Sequence, residues 1–138
     1  MPTPAADFFF DTNVTLYLLS ADAAKADTAE ALLAGGGQIS VQVLNEFASV
    51  ARRKLGLSWA EIREVLAQIR SVCAVHAVTT ETHDRALEVA DRYGLSIYDA
   101  LIAAAALLAG CSTLYSEDMQ DGQLLERKLR IRNPFRLP

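Results

Sequence analysis

FFFDTNVTLYLLS, residues 8–20, sets an aspartate directly after three phenylalanines, and apolar residues resume beyond Asn13. The aromatic run from Asp7 to Asp11, ended by a polar turn, reads as a buried strand that gives way to a helix near Asn13. Working outward, the same order recurs. A helix over about 23–33 stops at the glycine triplet 35–37, read as a loop because no GK[ST] follows to cradle phosphate. QISV is a short strand, and the stripe Val43, Leu44, Phe47, Val50, Ala51 marks a helix over 41–55. Ser58 and Glu61 form a capping box for a helix to about Arg70, and the alternating VCAVHAVT is a strand. Helices follow over 80–93 and from Ser96 to Gly110, then the strands STLYS and LRIRNPF, the last halted by Pro134. Strands alternating with helices imply a parallel sheet covered by helices, with ligands beyond the carboxyl ends of the strands at a switch in strand order.

The chain has 138 residues, 51% of them hydrophobic and 22% charged. That size and composition predict one compact domain over 1–138 rather than a disordered chain. The longest apolar run is Ala100–Ala109, too short to span a bilayer, so no membrane segment is expected. The opening MPTPAADFFF carries no basic residue before its apolar stretch and does not read as a secretory signal, which predicts a cytoplasmic protein. Cys73 and Cys111 lack CxxC spacing and read as reduced, buried thiols. The formal net charge is -4, yet Arg127, Lys128, Arg130, Arg132 and Arg136 fall in the last 12 residues with no acid among them. The remainder is therefore strongly acidic, which is not the footprint of binding nucleic acid by phosphate neutralisation alone. Contact with nucleic acid would need a cation between them.

Four acids stand out by position. Asp11 ends the first strand, where capping a helix is an ordinary alternative. Glu46 lies beside the buried stripe of its helix, where a carboxylate is costly unless a salt bridge to Arg52 or Arg53, or a metal, compensates it. Asp99 stands three residues after Ser96 at capping-box spacing, yet it is the only formal charge between Arg92 and Glu117. Asp118 follows the strand STLYS, with Asp121 one turn later in what a solvated acidic loop would also explain. A parallel sheet can bring Asp11, Glu46, Asp99 and Asp118 to one rim. Four carboxylates together repel one another unless cations fill the space, and oxygen-only donors select Mg²⁺ or Mn²⁺.

With FFFDTN, VLNEF, YDALIAAAA and LYSEDMQDG in that order, the chain resembles PIN-domain ribonucleases, most closely the VapC toxins of bacterial toxin–antitoxin pairs. The resemblance runs over nearly the whole chain. It implies a three-layer α/β/α sandwich with a central, mainly parallel sheet of about five strands, and an acidic pocket holding one or two Mg²⁺ or Mn²⁺ ions. It also implies endonucleolytic RNA cleavage leaving 5′-phosphate and 3′-hydroxyl ends. On this likeness Asp11, Glu46 and Asp99 match the three central acids and Asp118 the fourth, more variable one. Asp11 and Asp99 would be the primary metal ligands, Glu46 a ligand or water-orienting base, and Asp118 a second-metal or outer group. Asn13 and Ser116 match supporting polar positions, while Asp121 falls where such toxins vary. Thr15 stands where an apolar residue is common. A homodimer and a cognate antitoxin covering the pocket are likewise implied.

Carboxylates attract no RNA, so phosphate contacts are expected from Arg52, Arg53, Lys54 and the basic tail. Two rival readings differ in class. DTNVT after FFF also resembles the haloacid-dehalogenase phosphatase opening, with Asp11 as nucleophile, but Asn13 replaces the expected general acid. A non-catalytic PIN-fold module binding RNA or a partner is the other. No G-x-S-x-G is present, and His76 and His83 lack a zinc set and read as ordinary residues.

Overall fold

A computed structural model describes residues 7–136. Strand β1 is Phe8–Phe10, with Phe9 and Phe10 fully buried. The apolar requirement stops at Asp11, whose backbone leaves β1 extended and whose carboxylate caps α1, Thr12–Leu16. Thr15, where an apolar residue would be unremarkable, is buried with its hydroxyl donating to the Thr12 carbonyl at 2.7 Å, so its polar atom is satisfied within the turn. One 3₁₀ turn, Tyr17–Leu19, leads to α2, Ala23–Ala34, capped by Asp22.

The glycine triplet is only partly a loop. Gly35 ends α2, Gly36 takes a positive φ of 82°, and Gly37 opens β2, Gly37–Ser40. Glycine is needed at 37 because the Phe10 ring lies where a side chain would begin: a Cβ there would sit 2.8 Å from Phe10 Cζ and closer still to Cε2. Next come α3, Val41–Arg53, and α4, Trp59–Val72, with the Ser58–Glu61 capping box in place. Strand β3 is Cys73–His76, and α5, Thr80–Tyr93, closes on Gly94 in the left-handed region. The alanine-rich α6, Ile97–Leu108, buries Ala100 and Ile102–Ala106, as a core helix does. Strands β4, Thr113–Tyr115, β5, Leu124–Leu125, and β6, Leu129–Arg132, complete the order.

The sheet runs β3-β2-β1-β4-β6-β5, parallel throughout except for β5 against β6. This is the expected three-layer α/β arrangement with one strand more than expected. The extra strand β5 is two residues long, and its turn into β6 places Glu126 and Arg127 at φ 52° and 58°. Such a turn is costly without glycine or asparagine. The end of α5 braces it: Glu126 N–H donates to Tyr93 Oη at 2.8 Å, and Arg92 pairs with the Glu126 carboxylate at 2.7 Å.

Phe8, Phe9 and Phe10 pair in register with Thr113, Leu114 and Tyr115, so β1 and β4 end side by side. From β1 the chain builds outward through β2 and β3, then returns to the other side of β1 as β4. That reversal makes the β1/β4 boundary the topological switch point, the place where such sheets open a crevice. Cys73 and Cys111 are buried free thiols, pushed up to about 11 by burial. Among the described residues no helix is long and apolar enough to cross a membrane.

Candidate functional site

Asp11 and Ser116 sit at that switch, immediately after β1 and β4. Asp11 is 3% exposed and Ser116 is fully buried. Asp11 Oδ1 accepts the Thr12 N–H at 2.7 Å, which is the capping role. Its Oδ2 is engaged differently, accepting from Ser116 Oγ at 2.7 Å and Asn13 Nδ2 at 3.1 Å. The helix cap and a second task therefore coexist on one carboxylate.

Burial is the dominant influence on Asp11 and pushes it up to about 7. The hydrogen bonds from Ser116 and Thr12 oppose this, while the charges of Asp99 and Asp118 add to it. Asp99 is also raised, first by burial and then by Asp118, against a hydrogen bond from Ser96. Of the three carboxylates, those of Asp99 and Asp118 thus oppose the ionisation of Asp11, and that of Asp118 opposes the ionisation of Asp99. Asn13 ties two of them directly, its Nδ2 donating to Asp11 and, at 3.1 Å, to Asp118 Oδ2. Its Oδ1 accepts the Glu117 N–H at 3.2 Å.

Glu46 joins through Thr12, whose hydroxyl donates to Oε1 at 3.2 Å; Gln42 Nε2 holds Oε2 at 2.8 Å. It is half-buried on the border of the α3 stripe made by Val43, Phe47 and Ala51. The salt bridge considered for it is not made. Arg53 Nε donates to Ser49 Oγ at 3.1 Å. Arg52 donates to the Leu57 carbonyl at 3.0 Å and lies over the Trp59 ring, 5.1 Å from its centroid. Among the described residues the ion pairs go to Glu117, Asp121 and Glu126, and none reaches Asp11, Glu46, Asp99 or Asp118.

A buried carboxylate whose ionisation two other acids oppose, with no ion pair to a protein cation among the described residues, is the electrostatic setting that a hard divalent ion relieves. The donors are all oxygen, which suits Mg²⁺ or Mn²⁺ rather than zinc. As placed, no three Asp, Glu, His or Cys side chains among the described residues form a ready cage. The residues suit such an ion by the chemistry of their donors, with Asp118 tied to Asp11 through Asn13.

Ser116 does more than sequence position suggests. Its Oγ accepts the N–H groups of Asp118 at 3.2 Å and Met119 at 3.1 Å while donating to Asp11, so it folds the Asp118 loop back onto the buried acid. Ser116→Ala removes a partner from all three groups, and a loss of about 1–3 kcal/mol is expected in urea unfolding at pH 8. Unchanged stability would show that water replaces the hydroxyl at no cost.

Beyond Asn13, a second network was not signalled by sequence. Lys25 Nζ pairs with Glu117 at 2.8 Å and donates to Tyr17 Oη at 3.0 Å, Tyr17 Oη donates to Glu117, and the Tyr17 ring meets Phe135 edge-on at 4.5 Å. It fastens the residue before Asp118 to α2 and to the C-terminal segment. Asp121 serves that segment too, accepting the Asn133 N–H at 2.9 Å and pairing with Arg136 at 3.4 Å, so it belongs to a structural tie outside the acid group. His76 pairs with Gln38, and His83 lies exposed on α5.

The chain matches the family model for the PIN domain over residues 8–120. No curated protein matches at a significant level. Among solved structures, the chain is similar to Mycobacterium tuberculosis VapC20, described as a sarcin–ricin loop cleaving toxin. The two share 25% identity and a TM-score of 0.66, covering 80% of this chain and 89% of that one. A toxin–antitoxin complex from Klebsiella pneumoniae contains a chain with 19% identity and a TM-score of 0.70, covering 94% of this chain and 98% of that one. The Rickettsia felis VapBC2 complex with a promoter DNA fragment shares its fold at 21% identity and a TM-score of 0.58, covering 80% and 87%. The phosphatase reading of DTNVT falls with the PIN match, and Asn13 acts as a bridge between acids.

Proposed function

This chain belongs to the PIN-domain family, and from that membership we propose that it is a divalent-metal-dependent endoribonuclease. In this reading it is the toxin of a toxin–antitoxin pair and hydrolyses RNA to 5′-phosphate and 3′-hydroxyl ends. The observation that carries the proposal is Asp11: a buried carboxylate at the switch point, joined to Asp118 through Asn13 and, among the described residues, in no ion pair with a protein cation.

Asp11 and Asp99 would hold Mg²⁺ or Mn²⁺, one or two ions, with Glu46 and Asp118 completing the oxygen set. When bound, such an ion supplies Lewis acidity, neutralising charge on a phosphoryl oxygen and acidifying water. The chain's own part is positioning. Ser116, Thr12 and Asn13 fix the Asp11 carboxylate by three hydrogen bonds, so it does not reorganise when charge arrives. Glu46, gripped by Thr12 and Gln42 on different oxygens, keeps lone pairs to orient a water and take its proton. Lys54 lines a depression of about 320 Å³ with Asn13 and Asp118, and Arg53 lines its neighbour with Glu46. Both are therefore retained as phosphate contacts, whereas Arg52 is spent on Leu57 and Trp59.

The similarity to toxin–antitoxin structures supports a protein antitoxin as partner; a homodimer as the working form is proposed from the family resemblance alone. The test is cleavage of a mixed RNA pool by purified protein in Mg²⁺, Mn²⁺ or EDTA, beside Asp99→Asn prepared identically. Cutting that needs metal and drops at least 100-fold in the variant is expected. Equal cutting by both proteins would place the activity elsewhere, and no cutting by either would favour the non-catalytic module.

A further inference from the structure

We propose that the groove between α3 and the start of α6 is a nucleobase subsite, in which Tyr98 stacks on an unpaired base of the RNA strand whose phosphate reaches the acids. The inference rests on the nuclease reading and extends it to how the substrate is held. The groove has a volume of about 560 Å³ and is lined by Gln42, Asn45, Glu46, Ser49, Val50, Arg53 and Tyr98.

Tyr98 is the most exposed of the large hydrophobic side chains, at 61%, although it lies in a helix that buries most of its length. Among the described residues its ring meets no other ring and its hydroxyl makes no hydrogen bond. Its neighbour in the chain is Asp99, and Glu46 belongs both to the acid group and to this groove. The groove is thus continuous with the acids, and a strand lying in it would present its next phosphate to them.

The lining chemistry favours a base over other occupants. An exposed aromatic face offers stacking to any unpaired base. Asn45 carries an amide that matches the donors and acceptors along a base edge, while Gln42, whose Nε2 donates to Glu46, offers its Oε1 as an acceptor. Arg53 is the only cation in the lining, enough for one flanking phosphate. A duplex would keep its bases stacked inside and leave Tyr98 nothing to cover. Tyr98 is therefore the stacking residue of a subsite for one unpaired base flanking the phosphate that reaches the acids.

The test separates binding from cutting by working in an Asp11→Asn background with Mg²⁺ present. Binding of a short unstructured RNA carrying 2-aminopurine is measured with Tyr98 intact, with Tyr98→Ala and with Tyr98→Phe. Stacking predicts that Tyr98→Ala raises Kd at least about fivefold and abolishes the fluorescence quench, while Tyr98→Phe stays within about twofold. A fully paired RNA of equal length should show no dependence on Tyr98. Equal Kd for Tyr98→Ala and its parent overturns the subsite. So does a loss that Tyr98→Phe fails to rescue and that accompanies a change in oligomeric size, since the face would then be a contact between copies or with a protein partner. Failure of the wild-type protein to cut RNA in Mg²⁺ would remove the nuclease reading but leave this comparison readable.

Discussion

Replacing Asp11 with asparagine is expected to cost about 100-fold or more in RNA cleavage while making the metal-free protein more stable at pH 8. The two effects share one cause. Asp11 is raised from 3.8 to about 7 in the folded chain, chiefly by burial. Between those values the folded chain holds a proton that the unfolded chain has released. The stability that this proton confers is fully present below about pH 4 and is lost as pH rises through about 7. The shift corresponds to about 4 kcal/mol of penalty for the ionised form, an upper figure for what a neutral isostere recovers. Asparagine recovers less, because an amide N–H₂ in place of Oδ2 would face the donors of Ser116 and Asn13, which must turn. A net gain of roughly 1–2 kcal/mol at pH 8, and none at pH 4, is the expected result in urea unfolding.

Magnesium should reverse the comparison. An ion that binds only the folded acids stabilises by mass action, more at pH 8 than at pH 5 because protons compete for Asp11. The wild-type protein should therefore gain from millimolar Mg²⁺ at pH 8, and Asp11→Asn should gain little. If the variant were instead less stable than wild type at pH 8 without metal, burial would not be the dominant influence on Asp11.

The readability of this fold in its sequence follows from which interactions are local. Helix caps are local, so Ser58, Ser96 and Gly94 announce their ends. The strand-helix alternation announces a parallel sheet, and with it the placing of Asp11 and Ser116 directly after adjacent strands. What a sequence does not carry is the tertiary partner that reassigns a residue. Arg52 carries no sequence sign of the Trp59 ring and the Leu57 carbonyl that engage it. Asp121 looks like part of an acidic loop until Asn133 and Arg136 claim it. Strand β5 has no turn signal because Glu126 and Arg127 occupy positive φ, supported from α5 across the fold. Ser116 matches a supporting position, but its grip on two backbone N–H groups depends on how the Asp118 loop returns.

Gly37→Ala is the second large effect expected, and its sign runs against simple propensity. Glycine in a strand gives up roughly 0.5–1 kcal/mol relative to alanine through backbone entropy, and no positive φ at Gly37 stands in the way of a side chain. Space decides otherwise. The new Cβ would overlap the Phe10 ring, which is fully buried and stacked on Tyr115 with centroids 6.0 Å apart, so the ring has no open side to retreat into. Overpacking of this kind typically costs 1–3 kcal/mol and occasionally more, which exceeds the entropic gain. A net loss of about 2 kcal/mol, or roughly 8 °C in Tm, is expected. Phe10 immediately precedes Asp11, so a displaced ring also disturbs the carboxylate that Ser116 and Thr12 hold, and cleavage should fall with stability. A double-mutant cycle with Phe10→Leu identifies the cause. If the ring is the obstacle, the two changes should couple favourably by about 1 kcal/mol or more. Additive losses, or a stabilising Gly37→Ala, would mean that β2 shifts away from β1 without strain and that the glycine is not required by its neighbour.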